Sequence, residues 1–264
     1  MLGFRVFVIV LSLLTAAISQ AQQTSDPRIA DLVKAGRVRF GMFPPQYKKD
    51  PATGELRGPY VEVMRELGAH MRLPIVFTEV ATPAELIKCL RADRCDVGSL
   101  GFDPTRADQV GGFTPAFMEV DYTYLVRSGS AIRTVADADR PGVRVAVVRD
   151  HASTLALRRI VKNAELVSAD TPDAAFALLQ SGRADVYASV RPALLDYSTR
   201  LSGSHVLEES YGANSPALVV PKGRADRLAY LSEFVVAAKA SGLIKRSIDR
   251  AGQSGYRVAP PTKR

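Results

Sequence analysis

The chain has 264 residues, a formal net charge of +8 at pH 7 and two cysteines, and 47% of its residues are hydrophobic. This composition predicts a protein with a packed core and excludes a disordered or low-complexity chain. Lysines and arginines are interleaved with acidic residues and form no long basic run. The charge therefore indicates a solvated surface, and we expect no nucleic-acid partner.

The N-terminus has the pattern of a secretory signal peptide. Arg5 precedes an uncharged run that closes with Ser19-Gln20-Ala21. Small residues at these positions suit a signal peptidase, and the apolar core is too short for a membrane span of about 20 residues. We predict a signal peptide over residues 1–21, cleavage after Ala21 and a periplasmic location; a retained anchor helix is the alternative.

The segment after the signal alternates between strand and helix patterns. We predict strands at Val38–Met42, Pro74–Glu79 and Asp96–Leu100, and helices at Tyr60–His70 and Thr82–Arg91. Apolar residues recur at helical spacing on one face of the first helix. Such alternation is typical of parallel sheets flanked by helices.

The two cysteines lie between the second helix and the third strand. Cys89 and Cys95 would close a small loop if they form a disulfide in an oxidising compartment; two separate buried thiols are the alternative. Two thiols without nearby histidines fall short of the four ligands of a zinc site. We therefore predict no metal and no other cofactor.

The segment from Asp96 to Arg106 is the most informative in the chain. A short apolar strand leads into a turn with glycine and proline that presents Arg106 just before residues 113–117. A guanidinium is a rigid fork that can hold a carboxylate with two parallel hydrogen bonds. Ligands of α/β domains usually bind at the carboxyl ends of the strands. Arg106 is therefore a candidate ligand contact, and a surface salt bridge is the alternative.

The second half of the chain repeats the first. Val38-Arg39-Phe40-Gly41 is echoed by Val143-Arg144-Val145-Ala146, and residues 82–97 are echoed by residues 171–186 at one constant offset. The repeat predicts three further strands, at Arg144–Arg149, Ala164–Val167 and Asp185–Val190, and three further helices, at Ser153–Val161, Pro172–Gln180 and Arg191–Leu201.

A strand near Asn214–Val220 and a helix near Arg224–Ala240 have no counterpart in the repeat, so we expect them to complete the first half. The prediction is an α/β protein of two lobes, each a mostly parallel sheet flanked by helices. Lobe 1 would cover residues 22–124, lobe 2 residues 125–213, and residues 214–264 would return to lobe 1 and form a tail. Two parallel connecting strands, at Tyr122–Arg127 and Gly212–Pro216, would form a hinge, as in proteins that close on a ligand.

These residues resemble the periplasmic solute-binding proteins of amino-acid-type ABC transporters, the bacterial extracellular solute-binding family 3. The resemblance is carried by the first strand with its Phe43-Pro44-Pro45 loop, by residues 58–63 at the first helix, and by Arg106 with Phe113-Thr114-Pro115-Ala116-Phe117. It implies a periplasmic-binding-protein fold. It also implies a monomer that captures a small carboxylated metabolite, an amino acid or related organic acid, for an ABC permease.

The resemblance implies that Arg106 holds the ligand carboxylate and that Ser153 and Thr154, at a helix start, complete an anion site with free backbone N–H groups. For Ser153 a plain N-cap is the alternative. Aromatic side chains would form apolar walls, or else pack in the core, and Tyr47 and Tyr60 are further candidates of this kind. The predicted ligand-binding residues are Arg106, Phe43, Phe102, Asp103, Ser153, Thr154, His151 and Val190.

Val190 departs from the family pattern. Members that bind α-amino acids usually carry an acidic residue or asparagine there, which receives the ligand ammonium. A valine cannot pair with an ammonium, and burying an unpaired ammonium is costly. Either Asp103 or Asp150 replaces the missing acid, or the ligand has no α-ammonium.

Two other functions stay open. The cyclohexadienyl (arogenate/prephenate) dehydratases of the periplasm have the same bilobal fold and carboxylate substrates, and a dehydratase needs a general acid, for which Asp103, Asp150 or His151 would be candidates. A sensor subunit would use the same closing cleft. Signatures of hydrolases, metalloproteases and nucleotide-binding enzymes do not occur in the sequence. We therefore predict a binding protein and no enzyme.

Overall fold

The structure is a computed structural model, and it describes residues 26–260. The predicted signal peptide and the last four residues lie outside this range. Among the described residues, none of the helices has the length and apolar character needed to span a membrane.

The strands and helices follow the predicted alternation along the chain. The strands in the described range are β1 (Val38–Met42), β2 (Lys48–Lys49), β3 (Leu56–Arg57), β4 (Ile75–Glu79), β5 (Val97–Gly101), β6 (Met118–Val126), β7 (Arg144–Val148), β8 (Glu165–Ala169), β9 (Val186–Val190), β10 (His205–Val206), β11 (Gly212–Asn214), β12 (Pro216–Val219) and β13 (Tyr256–Val258). The helices are α1 (Ala30–Ala35), α2 (Pro59–Met71), α3 (Pro83–Arg91), α4 (Pro104–Ala107), α5 (Ala152–Leu157), α6 (Pro172–Gln180), α7 (Arg191–Ser198), α8 (Ala225–Ala240) and α9 (Leu243–Ala251).

Two mixed sheets organise the molecule, and each is flanked by helices, which confirms the predicted α/β fold. The first sheet has the order β12-β5-β1-β4, and all its strands are parallel except β12. With the helices α2, α3, α8 and α9 it forms lobe 1. The second sheet has the order β10-β6-β9-β7-β8, and with α5, α6 and α7 it forms lobe 2.

The second sheet is less parallel than predicted. β7 runs parallel to β8 and β9, but β6 pairs in antiparallel fashion with β9, β10, β11 and β13. The reason is that β6 is a nine-residue strand that continues from lobe 1 into lobe 2 and serves as a common partner. Its first residues pair with β13, whose side chains pack on the core of lobe 1.

The two strands that connect the lobes are antiparallel, so the prediction of parallel connecting strands was wrong. Gly212 lies opposite Tyr122, and Asn214 lies opposite Val120. The chain leaves lobe 1 along β6 and returns to it along β11. Because the two strands cross between the lobes in opposite directions, they are antiparallel.

The internal repeat is visible in the helix starts. Thr82 Oγ1 accepts a hydrogen bond from the backbone N–H of Glu85 at 3.1 Å, and Thr171 Oγ1 accepts one from Ala174 at 3.2 Å. In both helices a proline follows the threonine at the first helical position. The same cap therefore starts α3 and α6, in agreement with the sequence echo.

The repeat also fixes a partly buried ion pair in each lobe. The Asp96 carboxylate accepts hydrogen bonds from the backbone N–H and the guanidinium of Arg39, and the Asp185 carboxylate accepts the same set from Arg144. In each lobe this arginine–aspartate pair links the first strand, β1 or β7, to the start of the neighbouring strand, β5 or β9. The echoed residues thus set the register at the start of two neighbouring parallel strands.

Cys89 and Cys95 form a disulfide, which confirms the first of the two alternatives. Cys89 lies in the last turn of α3, and Cys95 lies two residues before β5. Both are buried against Leu86, Leu90 and Leu100. The bridge closes a short loop that leads directly into the strand carrying the predicted ligand-binding turn.

Candidate functional site

A cleft lies between the lobes and is lined by residues from both of them and from the connecting strands. Lobe 1 and the connecting strands contribute Phe43, Pro45, Gln46, Tyr60, Gly101, Arg106, Val120, Tyr122, Asn214 and Tyr256. Lobe 2 contributes His151, Ala152, Ser153, Ser189 and Val190. The structure therefore brings together five of the eight predicted binding residues: Phe43, Arg106, His151, Ser153 and Val190.

Arg106 is buried in this cleft, with 4% of its surface exposed. Its Nη1 donates to the carbonyl of Gly101 at 3.3 Å, and its Nη2 donates to the carbonyl of Asp150, across the cleft. Among the described residues it has no carboxylate in salt-bridge distance. Burial lowers the pKa of the guanidinium, and the nearby Asp103 carboxylate opposes this shift. Arg106 is thus a buried cation whose charge is not paired by a protein carboxylate.

The start of α5 faces the cleft through Ser153, whereas Thr154 turns away. The hydroxyl of Thr154 donates to the carbonyl of Val148 at 2.7 Å, and its side chain is fully buried behind the helix. Thr154 therefore holds the turn between β7 and α5 and does not reach a ligand in this arrangement. Ser153 lines the cleft, and its backbone carbonyl lies 3.5 Å from the Tyr211 hydroxyl, which donates to it.

His151 occupies the N-cap position of α5 and is buried against lobe 1. Its ring meets the Phe43 ring edge to face, with centroids 5.8 Å apart. Burial, helped by the positive charge of Arg106, lowers the pKa of His151 to about 4. The imidazole is therefore neutral at pH 7, and its buried Nε2 has no hydrogen-bond partner among the described residues.

Phe102 does not line the cleft, although the sequence predicted it as an apolar wall. It is 63% exposed and packs edge to face on Phe113, with ring centroids 5.3 Å apart. Gly101, its neighbour, faces the cleft, because a Cβ added there would meet Asn214 and Ala152. Successive residues of an extended chain point to opposite sides, so Phe102 points away. Phe43, by contrast, lines the cleft.

Neither candidate acid lines the cleft. Asp103 is 2% exposed, caps α4 through Thr105, and forms an ion pair with Arg159 of lobe 2. Burial alone would raise the pKa of Asp103, but the bonds from Thr105 and Arg159 outweigh it and lower the pKa. The Asp150 side chain is exposed, and only its backbone carbonyl reaches Arg106.

Val190 ends β9 at the rim of lobe 2 and lines the cleft, so no acidic side chain stands at this position. Sequence reasoning missed Asn214 on β11, whose Oδ1 is buried without a hydrogen-bond partner. It also missed Ser189, Tyr122 and Tyr256. Asn214, Tyr122 and Tyr256 lie on connecting strands or on the return to lobe 1, and Ser189 lies on β9 of lobe 2; no motif marks any of them.

Contacts between described residues hold the lobes against each other around the cleft. They include the Asp103–Arg159 ion pair, the Phe43–His151 ring contact, the hydrogen bond from Arg106 to the Asp150 carbonyl and the ion pair between Lys48 and Asp196 at 2.6 Å. The first three involve the turns that the sequence predicts to bind the ligand. The structure thus shows the cleft with its two walls in contact.

Structural comparison finds the same fold in proteins of low sequence identity. The solute receptor for L-cysteine of Neisseria gonorrhoeae matches with a TM-score of 0.73 and 22% identity, over 84% of this chain and 92% of that chain. A putative ABC-transporter binding component from Wolinella succinogenes, complexed with lysine, matches with a TM-score of 0.70 and 24% identity, over 81% of this chain and 95% of that chain. An ancestral amino-acid-binding protein, a precursor of cyclohexadienyl dehydratase, matches with a TM-score of 0.70 and 21% identity, over 84% and 97% of the chains.

Among curated protein sequences, none matches this chain. The model of the bacterial extracellular solute-binding proteins, family 3, matches residues 38–253, which include both lobes and every residue that lines the cleft except Tyr256. The chain therefore belongs to the bacterial extracellular solute-binding proteins, family 3.

Proposed function

We propose that this protein captures a small carboxylated metabolite, an amino acid or a related organic acid, in its interlobe cleft and delivers it to an ABC permease. The observation that carries the proposal is Arg106, a buried guanidinium without a protein carboxylate. Burying a charge is costly unless an opposite charge pairs with it, and a ligand carboxylate would supply that charge.

Family and fold support a binding role in transport. The family is extracellular, and the predicted signal peptide would place the protein in the periplasm. The similar structures include a receptor for L-cysteine and a binding component complexed with lysine, so this fold can enclose ligands of amino-acid size. Closure of the lobes on the ligand would create the surface that the permease recognises.

The chemistry of the cleft supports binding over dehydration. A dehydratase needs a general acid at the departing hydroxyl. Asp103 is ionised and paired with Arg159, the Asp150 side chain lies outside the cleft, and His151 is neutral with a pKa of about 4. An acid catalyst must be a protonated group that faces the cleft at neutral pH. None of the three candidates meets this requirement.

A thermal-shift screen of the exported protein, from Gln22 onward, tests the proposal. The compounds are amino acids, 2-hydroxy acids, keto acids, aromatic carboxylates and prephenate. A ligand present at 100 times its Kd stabilises the folded state by about 2.7 kcal/mol, which gives a clear rise in Tm. The rise should be absent in Arg106→Ala. A screen in which none of these carboxylates raises the Tm would contradict the proposal, and consumption of prephenate would establish the dehydratase instead.

A further inference from the structure

The charge that faces the cleft is +1. Arg106 is the only side chain with a formal charge among the described lining residues, because His151 is neutral and the remaining members are apolar, amide, hydroxyl or phenol groups. Burial raises the pKa of the phenol of Tyr122, so this group also stays uncharged.

Two of the acids near the cleft are paired with arginines, and the exposed Asp150 side chain does not line it. Asp103 pairs with Arg159 on the lobe 2 side. Asp121, next to Tyr122 on β6, shares Arg257 with Glu119 and also lies 3.8 Å from Arg191. The pair and the four-residue cluster each have no net charge, so neither offers a free carboxylate to balance a second cation. A zwitterionic amino acid with an uncharged side chain has no net charge and would leave +1 in the closed cleft. A ligand with a net charge of −1 would bring the sum to zero, which is the state that burial favours.

Two residues that line the cleft carry a buried polar atom without a hydrogen-bond partner. Among residues 26–260, Asn214 Oδ1 and His151 Nε2 make no hydrogen bond. An amide oxygen can only accept a hydrogen bond, and leaving a buried acceptor unpaired costs about 1–3 kcal/mol. A ligand that donates a hydrogen bond to Asn214 would remove this cost, and a hydroxyl does so without adding charge.

From this charge balance and these unpaired atoms we infer that the cleft selects monocarboxylates that carry a neutral hydroxyl in place of the α-ammonium, that is, acids of the 2-hydroxy class. The inference rests on the proposed function and names its ligand class. Arg106 holds the carboxylate, and Asn214 Oδ1 accepts a hydrogen bond from the hydroxyl. A ligand without an α-ammonium also explains why a valine is tolerated at position 190, where no acidic side chain is then needed.

Isothermal titration with matched pairs tests the inference directly. The pairs are L-lactate with L-alanine, L-2-hydroxy-4-methylpentanoate with L-leucine, and L-3-phenyllactate with L-phenylalanine, which differ within each pair only in hydroxyl against ammonium. We expect the hydroxy acid of at least one pair to bind the wild-type protein at least tenfold more tightly than its amino acid. An amino acid that binds as tightly as its hydroxy partner, or more tightly, would overturn the inference.

The variant Asn214→Asp adds a carboxylate with almost no change in shape. It should reduce the preference for the hydroxy acid at least tenfold, whereas Gln180→Glu, which adds the same charge at the exposed end of α6, should leave the preference unchanged. An unchanged preference in a folded Asn214→Asp would also overturn the inference. Failure of all three hydroxy acids to bind would do the same, while the proposed function would still be decided by the wider screen and by Arg106→Ala.

Discussion

Removal of the Arg159 side chain should weaken ligand binding although Arg159 does not line the cleft. Its guanidinium, 53% exposed, reaches from lobe 2 to the Asp103 carboxylate of lobe 1, which is only 3% exposed. The pair is formed only when the lobes meet. Arg159→Ala therefore removes stabilisation from the closed state and leaves the open state almost unchanged.

The size of this effect follows from the surroundings of the two charges. An exposed ion pair contributes up to about 1 kcal/mol, whereas removing one partner of a buried pair costs about 3–5 kcal/mol. The Arg159 side chain is about half exposed to solvent. In the variant, the Asp103 carboxylate keeps its two hydrogen bonds from Thr105. We therefore expect about 1–2 kcal/mol, which is about a fivefold to 30-fold loss of affinity at 1.4 kcal/mol per tenfold.

Isothermal titration of the wild-type protein, Arg159→Ala and Arg158→Ala measures this loss, with the carboxylate that gives the largest shift in the thermal screen. Arg158 is the matched control, because it is the exposed neighbouring arginine at the end of α5. The loss should shrink at high salt, because salt screens the half-exposed pair. An Arg159→Ala protein that binds within twofold of the wild type would refute the role of this pair in closure.

Two further predictions concern stability. Because the pKa of His151 is lowered to about 4 by burial and by Arg106, the unfolded chain takes up a proton at this residue between pH 6.5 and 4 and the folded chain does not. The stability that His151 contributes should therefore fall as pH falls through this window, and this contribution should level off below it. His151→Gln should lose less stability than the wild type between pH 7 and 4.5 in urea unfolding; equal losses would contradict the burial of a neutral imidazole. Replacing Cys89 and Cys95 by serine should cost about 2–3 kcal/mol, the loop-closure entropy of so short a loop, and calorimetry should show a Tm several degrees lower; an unchanged Tm would contradict this.

Much of the fold could be predicted because its signals are local. The strand β1 was predicted to the residue, and α3 and α6 begin at the threonine caps that the sequence repeat marks. α5 and α7 end a few residues earlier than predicted, at Leu157 and Ser198, since helix ends depend on packing as well as on pattern. The short strands β2, β3 and β13 have too few residues to show an alternation.

The candidate site was only partly predictable, and the reason is geometric. Arg106 and Val190 could be found because Val190 ends a predicted strand and Arg106 follows one in the next turn. Asn214 could not, because it reaches the cleft through the antiparallel pairing of β11 with β6, which is a tertiary contact. Phe102 was placed in the cleft because aromatic residues suit a ligand wall, but the pleat at Gly101 sends it to the opposite side.

The affinity of Arg106→Ala for a carboxylate that binds the wild-type protein tests the central claim most directly. Titration calorimetry should show a loss of about 2–5 kcal/mol, roughly 30-fold to several thousand-fold, because the variant leaves the ligand carboxylate buried without its paired charge. Circular dichroism should confirm that the variant is folded. A folded Arg106→Ala protein that binds within about twofold of the wild type, a loss of less than about 0.5 kcal/mol, would show that the carboxylate is held elsewhere.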